Sequence, residues 1–163
     1  MNQAIERAYR GLMNACGGGA AMIFAVMALL ITGDVVMRNL GLGTLPWIVE
    51  LSEYGMPVAT FLAAPWLLHR SEHVRIDMLV AALPPPVARA IDGLADGLGL
   101  AISLTIVYYG TAIIVDAQRI GATIIKTLVF PEWWLFVPLP LGGALLAIGF
   151  VRRLLAILEI AGR

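Results

Sequence analysis

The sequence predicts an all-α integral membrane protein: four transmembrane helices, both termini in the cytoplasm, and a short amphipathic cytoplasmic segment between the second and third spans. Three observations carry this. Hydrophobic residues make up 60% of the chain and charged residues 13%, with a mean hydropathy of +0.88; a soluble domain is about 45–50% apolar and about 25% charged. The charges fall in short clusters between uncharged runs, the longest being the 23 residues 11–33 and the 19 residues each of 97–115 and 133–151. The basic residues also divide unevenly between alternate connections. Eight (Arg7, Arg10, Arg70, Arg75, Arg89, Arg152, Arg153, Arg163) lie on the side of the termini and three (Arg38, Arg119, Lys126) on the other. Basic residues concentrate in cytoplasmic loops, so both termini are expected inside. No hydrophilic block is large enough for a soluble domain, and residues 1–163 read as a single four-helix membrane domain.

The elements follow in order. About 20 apolar residues cross the ~30 Å hydrocarbon core, so 11–33 suffices for a span. A secretory signal has a shorter apolar core, so a retained helix over 5–39 is expected, its span at 11–38. The next uncharged run, 54–68, is short, but residues 45–51 are mostly apolar too. A helix from 46 to 70, with a span at 46–69, takes Pro46 in its first turn and tolerates Glu50 and Glu53 near its N-terminus. Pro57 and Pro65 inside it predict a kink. A polar stretch, 69–77, leads into the amphipathic segment 74–83, which Pro84-Pro85-Pro86 stops. From Val87, Ile91, Leu94 and Leu98 share one side of a helix and Arg89, Asp92 and Asp96 the other. That helix carries the third span, 94–116, with a foot extending beyond the bilayer. Residues 116–132 read as a connection. The fourth span, 133–152, is interrupted in its first half by Pro138, Pro140, Gly142 and Gly143 and closed by Arg152 and Arg153. Trp47, Trp133 and Trp134 fall at the interface opposite the termini, where amphipathic rings belong.

The connection between the first two spans holds the residues that most need explaining. Asp34 and Arg38 are four apart and share a helix face; Glu50 and Glu53, three apart, do likewise. Gly41, Gly43 and Pro46 supply the turn between them. Charges at a membrane are costly unless paired, so Arg38 is expected to pair with Asp34 and with Glu50 or Glu53 across this hairpin.

Chemistry is sparse elsewhere. Ser52, Ser71 and Ser103 lack a nucleophile-elbow context. Gly17, Gly18 and Gly19 have neither a preceding strand nor a following Lys-Ser/Thr to cradle phosphate. His69 and His73 are the only histidines, at the inner end of the second span. A zinc site needs three or four ligands, so a polar interfacial turn is the simpler reading. Cys16, the single cysteine, reads as a packing residue. No catalytic, cofactor-binding or metal residue is assigned, and the chain is not expected to be an enzyme. Small residues at Gly17–Ala21, Gly93–Gly97 and Gly143–Ala147 suggest close helix neighbours. The span middles hold almost no ionisable side chain, whereas a secondary transporter keeps polar groups at the midplane. The chain therefore reads as an accessory to another membrane protein.

The order Asp34-x-x-x-Arg38, then Pro46-Trp47-x-x-Glu50, then a small-residue second span, then His73-Val74-Arg75-Ile76-Asp77, resembles the small permease subunit of TRAP transporters, the DctQ-like family. Pro131-x-Trp133-Trp134, with Pro138 before a glycine-rich fourth helix, is similar too. The resemblance covers nearly the whole chain. It implies a bacterial inner-membrane protein in stable complex with a large permease subunit. That subunit carries the sodium-coupled symport of organic acids, dicarboxylates among them. A periplasmic substrate-binding protein docks transiently. Asp34, Arg38, Trp47, Glu50, Glu53, His73, Arg75 and Asp77 are then structural or interface candidates, and no substrate or sodium ligand falls on this chain. Two other readings stay open: a membrane anchor of a respiratory complex, which haem absorption bands would reveal, and the small subunit of another tripartite carboxylate transporter.

Overall fold

A computed structural model describes residues 3–70 and 85–161. Its elements are α1 (Gln3–Asn39), α2 (Pro46–Arg70), α3 (Pro85–Ile120), β1 (Thr123–Ile125), β2 (Val129–Pro131), α4 (Trp133–Phe136) and α5 (Pro138–Ala161). The long helices alternate in direction. α1 packs on α2, α2 on α5, and α5 on α3, so α2 and α5 are the inner members of the array. Among the described residues, three helices are long and apolar enough to cross a membrane: Glu6–Asn39, Ala90–Ile120 and Trp133–Ile157. α2 is not among them, although at ~1.5 Å per residue it is ~37 Å long. Its two glutamates, prolines and polar aromatics lower its apolar character.

α2 begins and ends where the sequence places it. α3 starts on the second proline of the triple-proline run and continues for 36 residues, well past the expected span. The segment 74–83 lies outside the described residues. The last helix is interrupted once, at Val137, and then runs on through Pro140, Gly142 and Gly143. Pro138 has no N–H to give to the preceding turn, which is enough to divide α4 from α5.

Residues 116–132 correct the all-α expectation. α3 continues to Ile120, and a small antiparallel hairpin follows, pairing Thr123 with Pro131, Ile124 with Phe130 and Ile125 with Val129. β-branched and aromatic residues on both arms favour this pairing.

The C-terminal ends of α1 and α3 close the same way. Gly41, at φ +72°, donates its N–H to Arg38 O while Leu42 donates to Met37 O; Gly121, at φ +67°, donates to Gln118 O while Ala122 donates to Ala117 O. This left-handed glycine cap satisfies last-turn carbonyls that a bilayer could not hydrate.

The seams set a large side chain on one helix against a glycine on the next. Trp66 of α2 lies on Gly17 of α1, Met27 of α1 on Gly55, and Phe61 of α2 on Gly142 of α5; Phe150 of α5 lies on Gly99 of α3, and Ile106 and Val107 of α3 on Gly143. In lipid, helices gain little from leaving apolar surroundings and associate through such close fits. Of the small-residue faces read from the sequence, those at Gly17 and at Gly143 with Ala147 are used inside the array. Among the described residues, nothing lies within 4 Å of a Cβ built on Gly93 or Gly97. Hydroxyls within the helices are returned to their own backbone: Thr32 to Ala28 O, Ser52 to Ile48 O, Thr60 to Met56 O, Ser103 to Gly99 O and Thr105 to Ala101 O.

Candidate functional site

The charged side chains of the described helices and hairpin form two belts, one at each end of the array, with uncharged helix between them. At the end opposite the termini, Asp34 is only 4% exposed. It accepts the Arg38 Nη2–H at 2.7 Å and the Leu45 backbone N–H at 2.9 Å. One carboxylate thus ties the end of α1 to the chain entering α2. The other acids face elsewhere. The two oxygens of Glu50 accept the N–H groups of Thr127 (2.8 Å) and Leu128 (2.9 Å) at the hairpin tip, and Glu53 accepts from Lys126 Nζ at 2.9 Å. Lys126 also lies over the Tyr54 ring, and Tyr54 meets Phe130 of β2 edge-on.

The Asp34–Arg38 pair is present as the spacing predicts, but the expected contact of Arg38 with Glu50 or Glu53 is not made. Helix rotation explains this. α2 turns Gly55 towards Met27 of α1. At ~100° per residue Glu50 and Glu53 are about 140° and 160° round from Gly55. They face the hairpin that follows α3, and no cue in residues 34–53 reveals it. Trp47, on the first turn of α2, is partly exposed. His73, Arg75 and Asp77 lie outside the described residues.

These contacts set an expected result. Arg38→Ala leaves Asp34 its Leu45 N–H and removes a largely exposed pair partner, a loss of about 0–1 kcal/mol. Lys126→Glu places like charges together and lowers the melting temperature in detergent. Adding Glu53→Lys restores it. A swap of Arg38→Glu with Glu50→Arg restores nothing; rescue by that swap would overturn the geometry. The Glu53 carboxylate, through its hydrogen bond, holds the Lys126 ammonium above its ordinary value of 10.5. The stabilisation from this shift is whole below that value and is lost as pH rises through the raised one, so the staple persists at every physiological pH.

At the end bearing the termini, Glu6 bridges Arg10 (3.4 Å) and Arg152, joining α1 to α5. The Arg152 guanidinium lies 4.0 Å over the Tyr9 ring, which also meets the edge of His69 at 5.3 Å. Asp96 of α3, only 2% exposed, pairs with Arg153 of α5 at 3.0 Å. Asp96 directly precedes the uncharged run 97–115, and Arg152 and Arg153 directly follow 133–151. In antiparallel helices these positions share a level, which is the signal that could have paired them. Among the described residues no group of three or more His, Cys, Asp or Glu is placed to hold a metal ion.

The two belts pin helix to helix at either end, and no Asp, Glu, Lys, Arg or His of the described residues sits between them. That arrangement fixes the relative positions of helices and presents long apolar flanks. Residues 27–159 match the profile of the DctQ component of the tripartite ATP-independent periplasmic transporters. Nothing among curated proteins matches the chain. DctQ proteins are transporter components that work with a large permease and a binding protein, and are not a family of enzymes. The match takes in most of the chain, including α2, α3, the hairpin and nearly all of α5: the protein is a multi-pass membrane protein of the DctQ family, the small permease component of TRAP transporters.

Proposed function

We propose that the chain spans the bacterial inner membrane four times, with both termini cytoplasmic, and braces a large permease subunit during sodium-coupled uptake of an organic acid. The observation that carries this is the emptiness of the span middles. Residues 11–33, 54–68, 97–115 and 133–151 contain no charged side chain, and the acidic and basic residues of the described helices lie near the ends. A coupling ion or substrate carboxylate needs polar groups near the midplane. Transport therefore belongs to the partner, and this chain contributes a stapled array of helices. α2 counts as a span in this reading because it lies between α1 and α5 and is long enough to cross. The large permease is then a stable partner, the periplasmic binding protein a transient one, and membrane lipids cover the remaining flanks.

Reconstitution tests the role. The chain alone in proteoliposomes is expected to show no sodium-driven uptake of any organic acid. The large subunit and binding protein together with the chain restore uptake, and omitting the chain abolishes or reduces it. Saturable uptake by the chain alone would end the bracing reading. Orientation is checked in spheroplasts with an impermeant maleimide, using single cysteines in a Cys16→Ser background. Positions 43 and 123 should label and the termini should not; the reverse pattern inverts the topology.

A further inference from the structure

The hairpin 123–131 has a second face that the staples leave unused. Its inner pair, Ile124 and Phe130, is half-buried, with Phe130 against Tyr54. On its outer face, Ile125 is 82% exposed and Val129, its cross-strand partner, 66%. Thr123 and Pro131 continue that face, also exposed.

The hairpin does not stand up from the end of the array. Its neck is closed by the Glu132 N–H on Ala122 O at 3.0 Å, and its tip is held by Glu50 and Glu53. Tyr54 is eight residues along α2 from Pro46, roughly 12 Å below the helix start. The inner face therefore lies against the flank of α2, and the outer face looks sideways, away from the array. The hairpin joins the end of α3, where Ile120 is exposed, to Trp133 and Trp134 at the start of α4, with the Trp134 ring also exposed. Tryptophan rings mark the level of the headgroups.

We propose that this outer face is a membrane-interface element, with Ile125 and Val129 set into the headgroup and acyl boundary of the leaflet at this end. Exposed Ile120 and Trp134 flank the hairpin in the chain, at the end of α3 and the start of α4. Lys126, next to Ile125, is paired with Glu53, and the tip N–H groups of Thr127 and Leu128 are accepted by Glu50. An apolar β-surface with its tip donors already bonded is suited to lipid, where an unbonded donor is costly. The inference depends on the neighbouring helices crossing the bilayer, and is independent of the bracing role.

The test uses the full-length chain in nanodiscs, alone and with the large subunit. Ile125→Cys and Val129→Cys, each in a Cys16→Ser background, carry an environment-sensitive fluorophore. Lipids bearing a nitroxide at the headgroup or high on the acyl chain should quench it several-fold more than aqueous iodide does, and equally with and without the large subunit. Strong iodide quenching with no lipid quenching would place the face in water and overturn the proposal. Lipid quenching that disappears when the large subunit is present would make the face a protein contact and overturn it as well. Reconstitution for uptake fails or succeeds separately from either outcome.

Discussion

Arg153→Leu is expected to be the most damaging single charge removal in this chain. Asp96 is almost fully enclosed, and the Arg153 guanidinium lies 3.0 Å from its carboxylate. Removing the arginine leaves a buried carboxylate without its counter-charge, a loss of about 3–5 kcal/mol. It must then take up a proton or open the α3–α5 seam to solvent. Asp96→Asn is expected to be milder. Arg153 is partly exposed, and an arginine head can extend towards headgroups and water while its stem stays in place. The double variant Arg153→Leu with Asp96→Leu removes both charges and should recover much of the loss, since a buried ion pair contributes little over a well-packed apolar pair. The measurement is thermal unfolding in detergent, with yield of monodisperse protein as a second readout. If Arg153→Leu melts with the parent, or the double variant is worse than the single, the pair is not the fastening that the geometry indicates.

That pair shows where the sequence was legible and where it was not. Helix limits could be read because membrane spans are long, uncharged and bounded by charge; α2 starts at Pro46 and ends at Arg70, as its turn residues and polar boundary require. The Asp34–Arg38 contact was legible because it lies within one helix at a fixed spacing. Partners across helices were not. Which face of α2 meets α1 depends on the fit of Trp66 to Gly17 and Met27 to Gly55, and a local window of sequence does not contain that rotation. Glu50 and Glu53 consequently found the hairpin and not Arg38. The hairpin itself was obscured by its shortness. Three-residue arms beside long helices give little periodicity, although Thr-Ile-Ile and Val-Phe-Pro carry the β-branched and aromatic composition of strands. The small-residue faces were visible as a class, but their use was not. Gly17 and Gly143 meet helices of the same chain while Gly93 and Gly97 meet none among the described residues, a difference of rotation and not of residue type.

The glycines give the other large expected effect. A Cβ built on Gly142 would lie 2.6 Å from the backbone oxygen of Phe61 and 2.8 Å from its Cβ. Neither atom can move without displacing α2, so Gly142→Ala forces the α2–α5 seam apart. Overpacking of this kind costs about 1–3 kcal/mol. The loss should exceed that range for Gly142→Leu, since a larger side chain separates the helices along their length. Gly55→Ala crowds only the flexible Met27 side chain, with its sulfur at 2.8 Å, while Ile23 stays at an ordinary contact distance of 3.7 Å, and should be milder because a methionine can turn aside. Gly97→Ala meets nothing within 4 Å and should leave the isolated chain as stable as the parent or slightly more so, because alanine favours the helix over glycine by about 1 kcal/mol. The order of melting temperatures is therefore Gly97→Ala highest, Gly55→Ala next and Gly142→Ala lowest. Equal stability of Gly142→Ala and Gly97→Ala would show that α2 and α5 are not in the contact described. The same series bears on the brace. Bracing a large partner requires that α2 and α5, the inner helices, hold α1 and α3 at fixed separations. Gly142→Ala should then reduce uptake by the reconstituted complex even where the variant still reaches the membrane in normal amount. Full uptake with a demonstrably loosened seam would mean that the partner needs the presence of this chain and not its rigidity.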